Sequence, residues 1–341
     1  MIKLSRYVSA NGDERKRVHM QSRKAIAALA LAALLGLGAC GNTTTQNQGT
    51  ATTQAETQDQ TKSSISAAAE KQSIKLEGVA NARQLGGYVG AGGKTVKDGV
   101  LLRTAVLSNA TEADVKRLTE TYHLAENIDF RMDQEVEADP ELEIDGVKNL
   151  NIRIIDEEAL AKARESLTPE DLEMMVSDDP VQKIESIKKL GIVGDQMYVN
   201  FLSHDAGKQG YAQMFKELLA LPEGQSLLFH CTQGKDRTGC AAMLILSALG
   251  VDEDTIMNDY LLTNEFNAEL IAQERQELLD AGVKESDVDS VMIARDQVFP
   301  QIMTNALDWL KKEYGSVQGY ITKELGVTEE QIEQLQDKFL V

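Results

Sequence analysis

The sequence predicts an α/β fold in which a central, mainly parallel or mixed sheet is flanked by helices. Short apolar segments alternate with helical patterns, as in parallel strands that are joined by crossover helices. The clearest unit is the apolar run "SLLF" at 226–229, which precedes a polar loop and the apolar helical pattern of 238–250. About 270 residues follow an N-terminal leader, a length that suits one domain with a helical insertion and a helical C-terminal region.

The first 40 residues have the pattern of an export signal. Two basic residues precede the apolar run "IAALALAALLGLGA" at 26–39, which ends in small residues before Cys40. The run is too short for a comfortable membrane-spanning helix, and we therefore expect residues 1–39 to be a signal peptide. An uncleaved anchor, with Cys40 as a bystander, is the alternative, and Met20 is a second candidate for the initiator.

Residues 40–73 are rich in Thr, Gln, Ser and Ala and show no apolar periodicity, so we interpret them as a flexible tether. Residues 1–39 hold seven of the 35 Lys and Arg and two of the 54 Asp and Glu, which leaves a net charge of −24 for the rest. This charge argues against nucleic acid as a partner and against loose binding to anionic lipid headgroups. We expect a monomer in which a local cationic pocket holds any phosphorylated ligand.

Three strands are expected before the central one. They lie at 100–103, 125–131 and 146–155. Thr111, followed by acids in the next turn, predicts the N-cap of a helix that runs to about Tyr122. Together with 226–229, these strands form the expected sheet of the domain that we assign to 74–341.

The remaining segments are helical in pattern. Residues 157–190 are interrupted at Pro169 and Pro180 and lie between two expected core elements, so we interpret them as an inserted helical lid. The helix at 238–250 is expected to end at a glycine. Further helices are expected at 196–224, one or two in number, and at 252–341, four or five in number.

The loop after the central strand carries the chemistry that the sequence offers. It reads "HCTQGKDRT" and places Cys231 just after a strand and Thr238 at the start of the next helix, the usual ligand position in α/β folds. A loop of this length can turn its backbone N–H groups toward one anion, and Gly234 permits the required curl. Arg237 can bind two oxygens of a phosphate.

These groups also predict a reactive cysteine. The loop N–H groups, the helix N-terminus and Arg237 all favour the thiolate of Cys231, which makes it a nucleophile at neutral pH. The alternative is an inert, buried Cys231 beside a solvated Lys-Asp-Arg turn. No group of His, Cys and carboxylate residues has metal-ligand spacing, and we expect no metal.

The motif "HCTQGKDRTG" resembles the signature loop of cysteine-dependent phosphatases, in the Lys-Asp-Arg form of the bacterial tyrosine and dual-specificity phosphatases. Other elements of that family are similar to "NARQLGGY" at 81–88, "GVLLRTAVLS" at 99–108 and "IDFR" at 128–131. One difference is Thr104, where the family usually has Ser. The resemblance covers about residues 75–341 apart from 157–190, and it implies the tyrosine phosphatase fold, a phosphocysteine intermediate and no cofactor.

The resemblance also implies roles for the loop residues. Cys231 attacks phosphorus, and Arg237 holds the phosphate oxygens together with the loop. The substrate-binding residues are then Thr232, Gln233, Gly234, Lys235 and Thr238, of which Thr238 also donates a hydrogen bond to the sulfur. Lys235 is either solvated or binds a second phosphate or an inositol ring.

Supporting residues are expected outside the loop. His230 is expected to order the loop from behind, while Arg83 and Asn81 hold it from outside. Cys240, nine residues beyond the nucleophile, is interpreted as a packing residue, with a resolving thiol as the alternative.

The general acid has three candidates. Asp236 lies inside the loop and is preferred, while Asp129 and Asp205 are the alternatives. Asp236 could instead be a structural carboxylate that binds Arg83 or Arg131.

The end of the leader, "LGAC", resembles the lipobox of bacterial lipoproteins, which implies cleavage before Cys40 and a lipid on its sulfur. We therefore expect an exported phosphatase that is anchored at the outer face of the bacterial cell membrane. Its substrates are expected to be phosphotyrosine or phosphoserine/threonine in proteins, or phosphoinositides. The hypothesis from another class is a catalytically silent lipoprotein that only captures a phosphorylated ligand.

Overall fold

The computed structural model describes residues 66–341, so the predicted signal peptide, Cys40 and most of the tether lie outside the described residues. The strands of the sheet are β1 (Arg83–Gln84), β2 (Leu101–Thr104), β3 (Leu124–Asp129), β4 (Lys148–Asn151) and β5 (Ser226–His230). The helices are α1 (Ala67–Gln72), α2 (Glu112–Lys116), α3 (Asp133–Ala138), α4 (Glu157–Glu165), α5 (Pro169–Met175), α6 (Pro180–Lys188), α7 (Met197–Ser203), α8 (Asp205–Ala220), α9 (Asp236–Ala248), α10 (Glu253–Phe266), α11 (Ala268–Asp280), α12 (Glu285–Met292), α13 (Pro300–Tyr314), α14 (Val317–Lys323) and α15 (Glu329–Phe339).

The sheet confirms the predicted α/β class. Its strand order is β1-β2-β5-β3-β4, with β1 antiparallel to β2 and all other neighbours parallel. In this register His230 lies beside Thr104 on one side and Asp129 on the other. The carboxyl ends of the three middle strands therefore meet at one edge, where the loop after β5 begins.

Helix α9 is buried along nearly its whole length, as its apolar sequence predicts. It packs against β2 and β5 and against helices α7, α10, α14 and α15. A helix that is covered on all sides must be apolar all round. Its position fixes the N-terminus of α9 beside the carboxyl end of β5.

Local sequence signals explain where several helices begin. The Thr111 hydroxyl accepts the Asp114 N–H at 3.1 Å, and the Asp114 carboxylate accepts the Thr111 N–H at 2.9 Å, which is a capping box. The α-helix then widens into a π turn at Arg117–Thr121 instead of continuing to Tyr122. Among the described helices, none combines the length and the apolar character needed to cross a membrane.

Residues 157–190 are helical, as expected, and contain α4, α5 and α6. Pro169 and Pro180 stand at the first positions of α5 and α6. At that position the missing N–H of proline has no partner to lose, so each proline starts a new helix rather than interrupting one. Helix α6 packs against α12 of the C-terminal region.

Several boundaries differ from the sequence prediction; the strand expected at 146–155, for example, is limited to Lys148–Asn151. Helix α1 lies within the expected tether, and it packs on β1 and α10 with Ala69 fully buried, so ordered structure begins before residue 74. Residues 252–341 form six helices instead of four or five. Helix α9 begins at Asp236 rather than Thr238.

Residues 66–132 and 141–341 belong to one compact unit, which contains the sheet and the loop after β5. Residues 133–140 fall in a separate unit and contain α3. Within that segment the Asp139 N–H donates to the Glu135 carbonyl oxygen at 3.1 Å.

Candidate active site

The loop between β5 and α9 begins with Cys231, at the carboxyl edge of the sheet. Cys231 directly follows β5, and only 2% of its surface is exposed. Because α9 begins at Asp236, both Asp236 and Arg237 lie in the first turn of that helix. The partial positive charge of a helix N-terminus is therefore close to the sulfur.

Gly234 allows the loop to pack directly on the end of β2. Its φ is +64°, and a Cβ built on it would lie 2.2 Å from the Thr104 carbonyl oxygen and 2.7 Å from the Ala105 nitrogen. The Val106 N–H also donates to the Thr232 carbonyl oxygen at 3.3 Å. Only glycine fits both the backbone conformation and the space at this position.

The thiol of Cys231 is tuned toward the thiolate. Burial by itself would raise its pKa, but the positive charge of Arg237 and the hydrogen bond from Thr238 outweigh burial and lower the pKa below the ordinary value for cysteine. The buried Thr238 hydroxyl has no other hydrogen-bond partner among the described residues, so its O–H is free for the sulfur. The expected hydrogen bond from Thr238 to the sulfur stays a prediction.

Arg237 is held in place by backbone and side-chain oxygens. Its Nη1 donates to the Phe130 carbonyl oxygen at 3.3 Å and its Nη2 to the Thr232 hydroxyl at 3.4 Å. The Tyr211 hydroxyl donates to the Arg237 carbonyl oxygen at 3.1 Å. Arg237 is 8% exposed, and these contacts orient its guanidinium before an anion binds.

A buried ion network supports the loop from outside. The Gly234 carbonyl oxygen accepts from Asn81 Nδ2 at 2.9 Å and from Arg103 Nη2 at 3.0 Å. Asp259 binds Arg103 at 2.7 Å and Arg83 at 3.1 Å, and Arg83 also donates to the Asn81 side chain. Arg83 therefore acts on the loop through Asn81.

The pKa values in this network follow from burial and charge. Burial, together with the charge of Arg83, lowers the pKa of Arg103 to about 10, although Asp259 acts in the other direction. Burial would raise the pKa of Asp259, but Arg83 and Arg103 outweigh it and keep the carboxylate ionised.

A second buried cluster lies behind Cys231. His230 Nδ1 is 3.2 Å from the Cys231 carbonyl oxygen, and its Nε2 is 3.1 Å from Glu141 Oε2. Burial alone would lower the pKa of His230, but the carboxylates of Asp129 and Glu141 raise it to about 9. His230 is therefore an imidazolium at neutral pH, and its Nδ1–H donates to the loop backbone, as its expected supporting role requires.

Asp129 is paired with an arginine in this cluster. Arg131 Nη2 lies 2.8 Å from Asp129 Oδ2 and 3.0 Å from Glu141 Oε2. Burial would raise the pKa of Asp129, but His230 and Arg131 outweigh it and lower the pKa. Two carboxylates thus face two cations, which disfavours Asp129 as a proton donor and makes the cluster an ion-pair network.

Asp236 presents its carboxylate beside the catalytic loop. Its Oδ2 lies 2.9 Å from Lys235 Nζ, and its Oδ1 accepts from the Tyr198 hydroxyl at 2.8 Å. The side chain keeps 20% of its surface exposed, in contrast to the buried Asp129. The alternative role of Asp236 was an ion pair with Arg83 or Arg131. In the structure Arg83 is paired with Asp259 and Arg131 with Asp129.

Lys235 is not the solvated side chain that one interpretation predicted. It is 1% exposed, and its ammonium donates to Asp236 and, at 3.2 Å, to the Ile293 carbonyl oxygen just beyond α12. The ammonium is therefore used within the protein in this structure, as a tie between the loop and the C-terminal helices.

The comparisons agree with this geometry. The sequence model of the tyrosine phosphatase family matches residues 74–341. The chain belongs to the tyrosine phosphatase family. It is a phosphoric monoester hydrolase with the phosphatase fold, and the family reaction proceeds through a phosphocysteine.

Individual relatives support the same assignment. A protein of Cupriavidus necator that is named as a tyrosine-protein phosphatase is 32% identical over 257 residues, which is 75% of this chain and 85% of the relative. A tyrosine-protein phosphatase of Nostoc commune is 32% identical over 142 residues, 41% of this chain and 47% of the relative. A triple specificity protein phosphatase of Mycobacterium tuberculosis is 29% identical over 131 residues, 35% of this chain and 46% of the relative.

The structure brings most of the predicted phosphatase residues together. The loop residues, His230, Asp129, Asn81 and Arg83 form one connected site. Asp205 is instead the exposed first residue of α8. Cys240 is fully buried in α9 with a pKa raised mainly by burial, so its packing role has a basis while a resolving role stays a prediction.

Sequence reasoning missed four residues of the phosphatase site. Arg103 stands in the segment 99–108 that resembled the family, and Asp259 stands in the expected C-terminal helices, but neither had a role. Glu141 and Tyr198 had no motif at all, and each reaches the site from a segment distant in sequence. Their only sequence signal would have been a polar group at a position that is otherwise buried.

Proposed function

We propose that this phosphatase hydrolyses phosphotyrosine in proteins, with Cys231 as nucleophile, Arg237 as the phosphate-binding cation and Asp236 as general acid. The observation that supports it best is the buried Cys231, which lies in the loop between β5 and α9 with its thiol pKa lowered by Arg237. A thiolate next to a fixed guanidinium is a nucleophile beside an anion site.

The proposed reaction has two steps. In the first, the Cys231 thiolate attacks phosphorus, the bond from phosphorus to the tyrosine oxygen breaks, and Asp236 gives its proton to that oxygen. In the second, water attacks the phosphocysteine, the sulfur–phosphorus bond breaks, and the Asp236 carboxylate takes a proton from the water. Arg237 and the loop N–H groups bind the equatorial oxygens throughout. Inorganic phosphate leaves and the thiolate is restored.

Replacement of the nucleophile tests the mechanism. We expect Cys231→Ser to abolish phosphate release from an aryl phosphate, because a serine hydroxyl is not ionised at neutral pH. Cys240→Ser is the matched control, since it changes the other described cysteine and should leave turnover close to that of the wild type. Turnover by Cys231→Ser would rule out the covalent mechanism. Binding of a phosphotyrosine peptide by the wild type without phosphate release would favour the silent phospholigand-binding protein.

The general acid has its own test. Asp236→Asn should lower kcat by roughly 10² to 10⁴, with a small change in KM, because the carboxyl acts in the transition state. An unchanged kcat would show that Asp236 is not the general acid and that another residue has this role.

Phosphotyrosine is proposed as substrate because two relatives are named tyrosine-protein phosphatases. The third is named a triple specificity phosphatase, which keeps phosphoserine/threonine and phosphoinositides as the second candidate. The burial of Lys235 and the net charge of −24 without residues 1–39 both argue against a polyanionic lipid. Turnover measured side by side on a phosphotyrosine peptide, a phosphoserine peptide and a soluble phosphoinositide decides among them.

We also propose that the phosphatase is exported and held at the outer face of the cell membrane by a lipid on Cys40. The apolar run 26–39 and the "LGAC" sequence support this proposal, and the acidic charge supports a monomer without a nucleic acid partner. Cys40→Ala should move the protein from the membrane fraction to the soluble exported fraction. An unchanged distribution would contradict lipid anchoring.

A further inference from the structure

The carboxylate of Asp236 is bound by a tyrosine that no motif indicates. Tyr198 lies in α7, is fully buried, and places its hydroxyl 2.8 Å from Asp236 Oδ1. Its ring is fixed on two sides, by an edge contact to Tyr260 at 6.0 Å between centroids and by stacking on Phe201 at 6.1 Å. The hydroxyl is therefore held at one position relative to α9.

A second buried hydroxyl continues the contact away from the site. Tyr260 of α10 has its hydroxyl 3.0 Å from that of Tyr198 and 3.3 Å from the Phe299 carbonyl oxygen. Tyr198 has one proton, and donation to Asp236 uses it, so its oxygen can only accept from Tyr260, whose single proton also faces the Phe299 carbonyl oxygen. Burial together with the charge of Asp236 raises the pKa of both tyrosines, which keeps them protonated donors. Hydrogen bonds in such a chain strengthen one another.

We propose that Tyr198 is the positioning residue of the general acid, with Tyr260 as its support. Tyr198 donates to Oδ1 of Asp236, while the Lys235 ammonium lies 3.1 Å from Oδ1 and 2.9 Å from Oδ2, so the carboxyl group is held in one orientation beside the loop. The inference rests on the proposed role of Asp236 and assigns to it a partner from a separate helix.

The contact contributes most when the proton has left. Asp236 then becomes a carboxylate, and the Tyr198 hydroxyl and the Lys235 ammonium, 2.8 and 2.9 Å away, stabilise the new charge. An interaction that strengthens as the proton moves lowers the barrier rather than the substrate affinity. Fixing the acid in one orientation adds to this effect.

Tyr198→Phe tests the proposal because it keeps the ring and removes only the hydroxyl. On phenyl phosphate, whose leaving group needs protonation, we expect kcat/KM, which reports only the step that breaks the bond to the leaving group, to fall about tenfold. On 4-nitrophenyl phosphate, whose leaving group departs readily as an anion, the fall should be at most about twofold.

Tyr320→Phe is the matched control. Tyr320 is equally buried, and its hydroxyl donates to the Leu202 carbonyl oxygen of α7 at 2.8 Å, so the variant loses one buried hydrogen bond of the same kind without touching Asp236. It should affect both substrates equally. Tyr260→Phe, which removes the donor to Tyr198, should show the same substrate dependence as Tyr198→Phe with a smaller amplitude, and it serves if Tyr198→Phe does not fold.

The outcomes separate this inference from the general acid itself. Equal losses on the two substrates in Tyr198→Phe, with a substrate-dependent loss in Asp236→Asn, overturn the positioning role alone. Equal losses in Asp236→Asn overturn the general acid and this inference together. Substrate-dependent losses in both variants, and not in Tyr320→Phe, support the proposal.

Discussion

At the scale of single residues, Gly234 shows how closely the loop depends on one backbone conformation. Its α-carbon faces the end of β2, where the Thr104 carbonyl oxygen leaves no room for a side chain. Two further groups, Asn81 and Arg103, donate to its own carbonyl oxygen. The backbone at Gly234 is therefore held from both sides.

Gly234→Ala should lower the free energy of unfolding by about 1–3 kcal/mol and reduce phosphatase activity at least tenfold, because the Cβ is strained at φ +64° and displaces the loop. Urea denaturation and turnover of an aryl phosphate measure the two effects. Gly315→Ala is the control, since Gly315 has a φ of +84° but nothing within 4 Å of its Cβ position. Equal activity in the two variants would contradict the steric argument.

At the scale of elements, the site depends on two braces that join the sheet to the helices around it. Asp259 of α10 binds Arg83 of β1 and Arg103 of β2, and all three side chains are buried. Lys235 ties the N-terminus of α9 to the residue after α12. Helix α12 in turn packs on α6 of the insertion, which connects residues 157–190 to the loop.

Asp259→Asn should destabilise the fold by about 3–5 kcal/mol, because it leaves two buried guanidinium groups without their carboxylate. The free energy of unfolding from urea titration is the measurement. Glu253→Gln in the same helix breaks the exposed pair with Lys311 and should cost at most about 1 kcal/mol. A similar small loss in Asp259→Asn would show that the buried brace does not stabilise the fold.

At the scale of the whole molecule, the chain is strongly acidic, but several buried cationic side chains surround the loop where a phosphate is expected to bind. Arg83, Arg103, Arg131, Lys235 and Arg237 are all buried around one loop. Most of them have carboxylate partners, which limits the desolvation cost of burial. The cations around the loop thus contrast with the negative charge of the chain as a whole.

The stability of the molecule should depend on pH through His230. Its folded pKa of about 9 lies above the ordinary value of 6.5, so its protonation stabilises the fold fully below pH 6.5, and this contribution is lost as the pH rises through about 9. The shift corresponds to about 3 kcal/mol. The charged groups that face His230 are Asp129, Glu141 and Arg131.

Urea denaturation at pH 6 and pH 9.5 gives the free energy of unfolding of the wild type and of His230→Gln. The difference between the two proteins at each pH measures this effect, because the contributions of other titrating groups cancel. The difference should shrink at the higher pH. Glu141→Gln should give a smaller pH dependence than the wild type, because one of the two carboxylates that raise the pKa of His230 is removed. A difference that is the same at both pH values would contradict the assignment.

The sequence by itself determined the α/β class, the strands at 100–103 and 226–229, and the residues of the loop from Cys231 to Thr238. These features follow from residues that are close together in the sequence. They are apolar runs of strand length, a five-residue gap between Cys231 and Arg237, and an apolar helix that follows. Local spacing also predicted the N-cap at Thr111 and the helical character of residues 157–190. Neighbours along the chain are enough to define such patterns.

The tertiary structure alone decided which charges meet. Asp236 is partnered by Tyr198 from 38 residues away, and Arg83 by Asp259 from 176 residues away. A tyrosine at an apolar position of a helix gives no sequence signal of the carboxylate that it will contact. A buried arginine is expected to have an acidic partner, but the sequence does not show which residue that partner is. The proposed nucleophile could therefore be predicted from the chain, whereas the partners of Asp236 and of the loop depend on how distant elements pack.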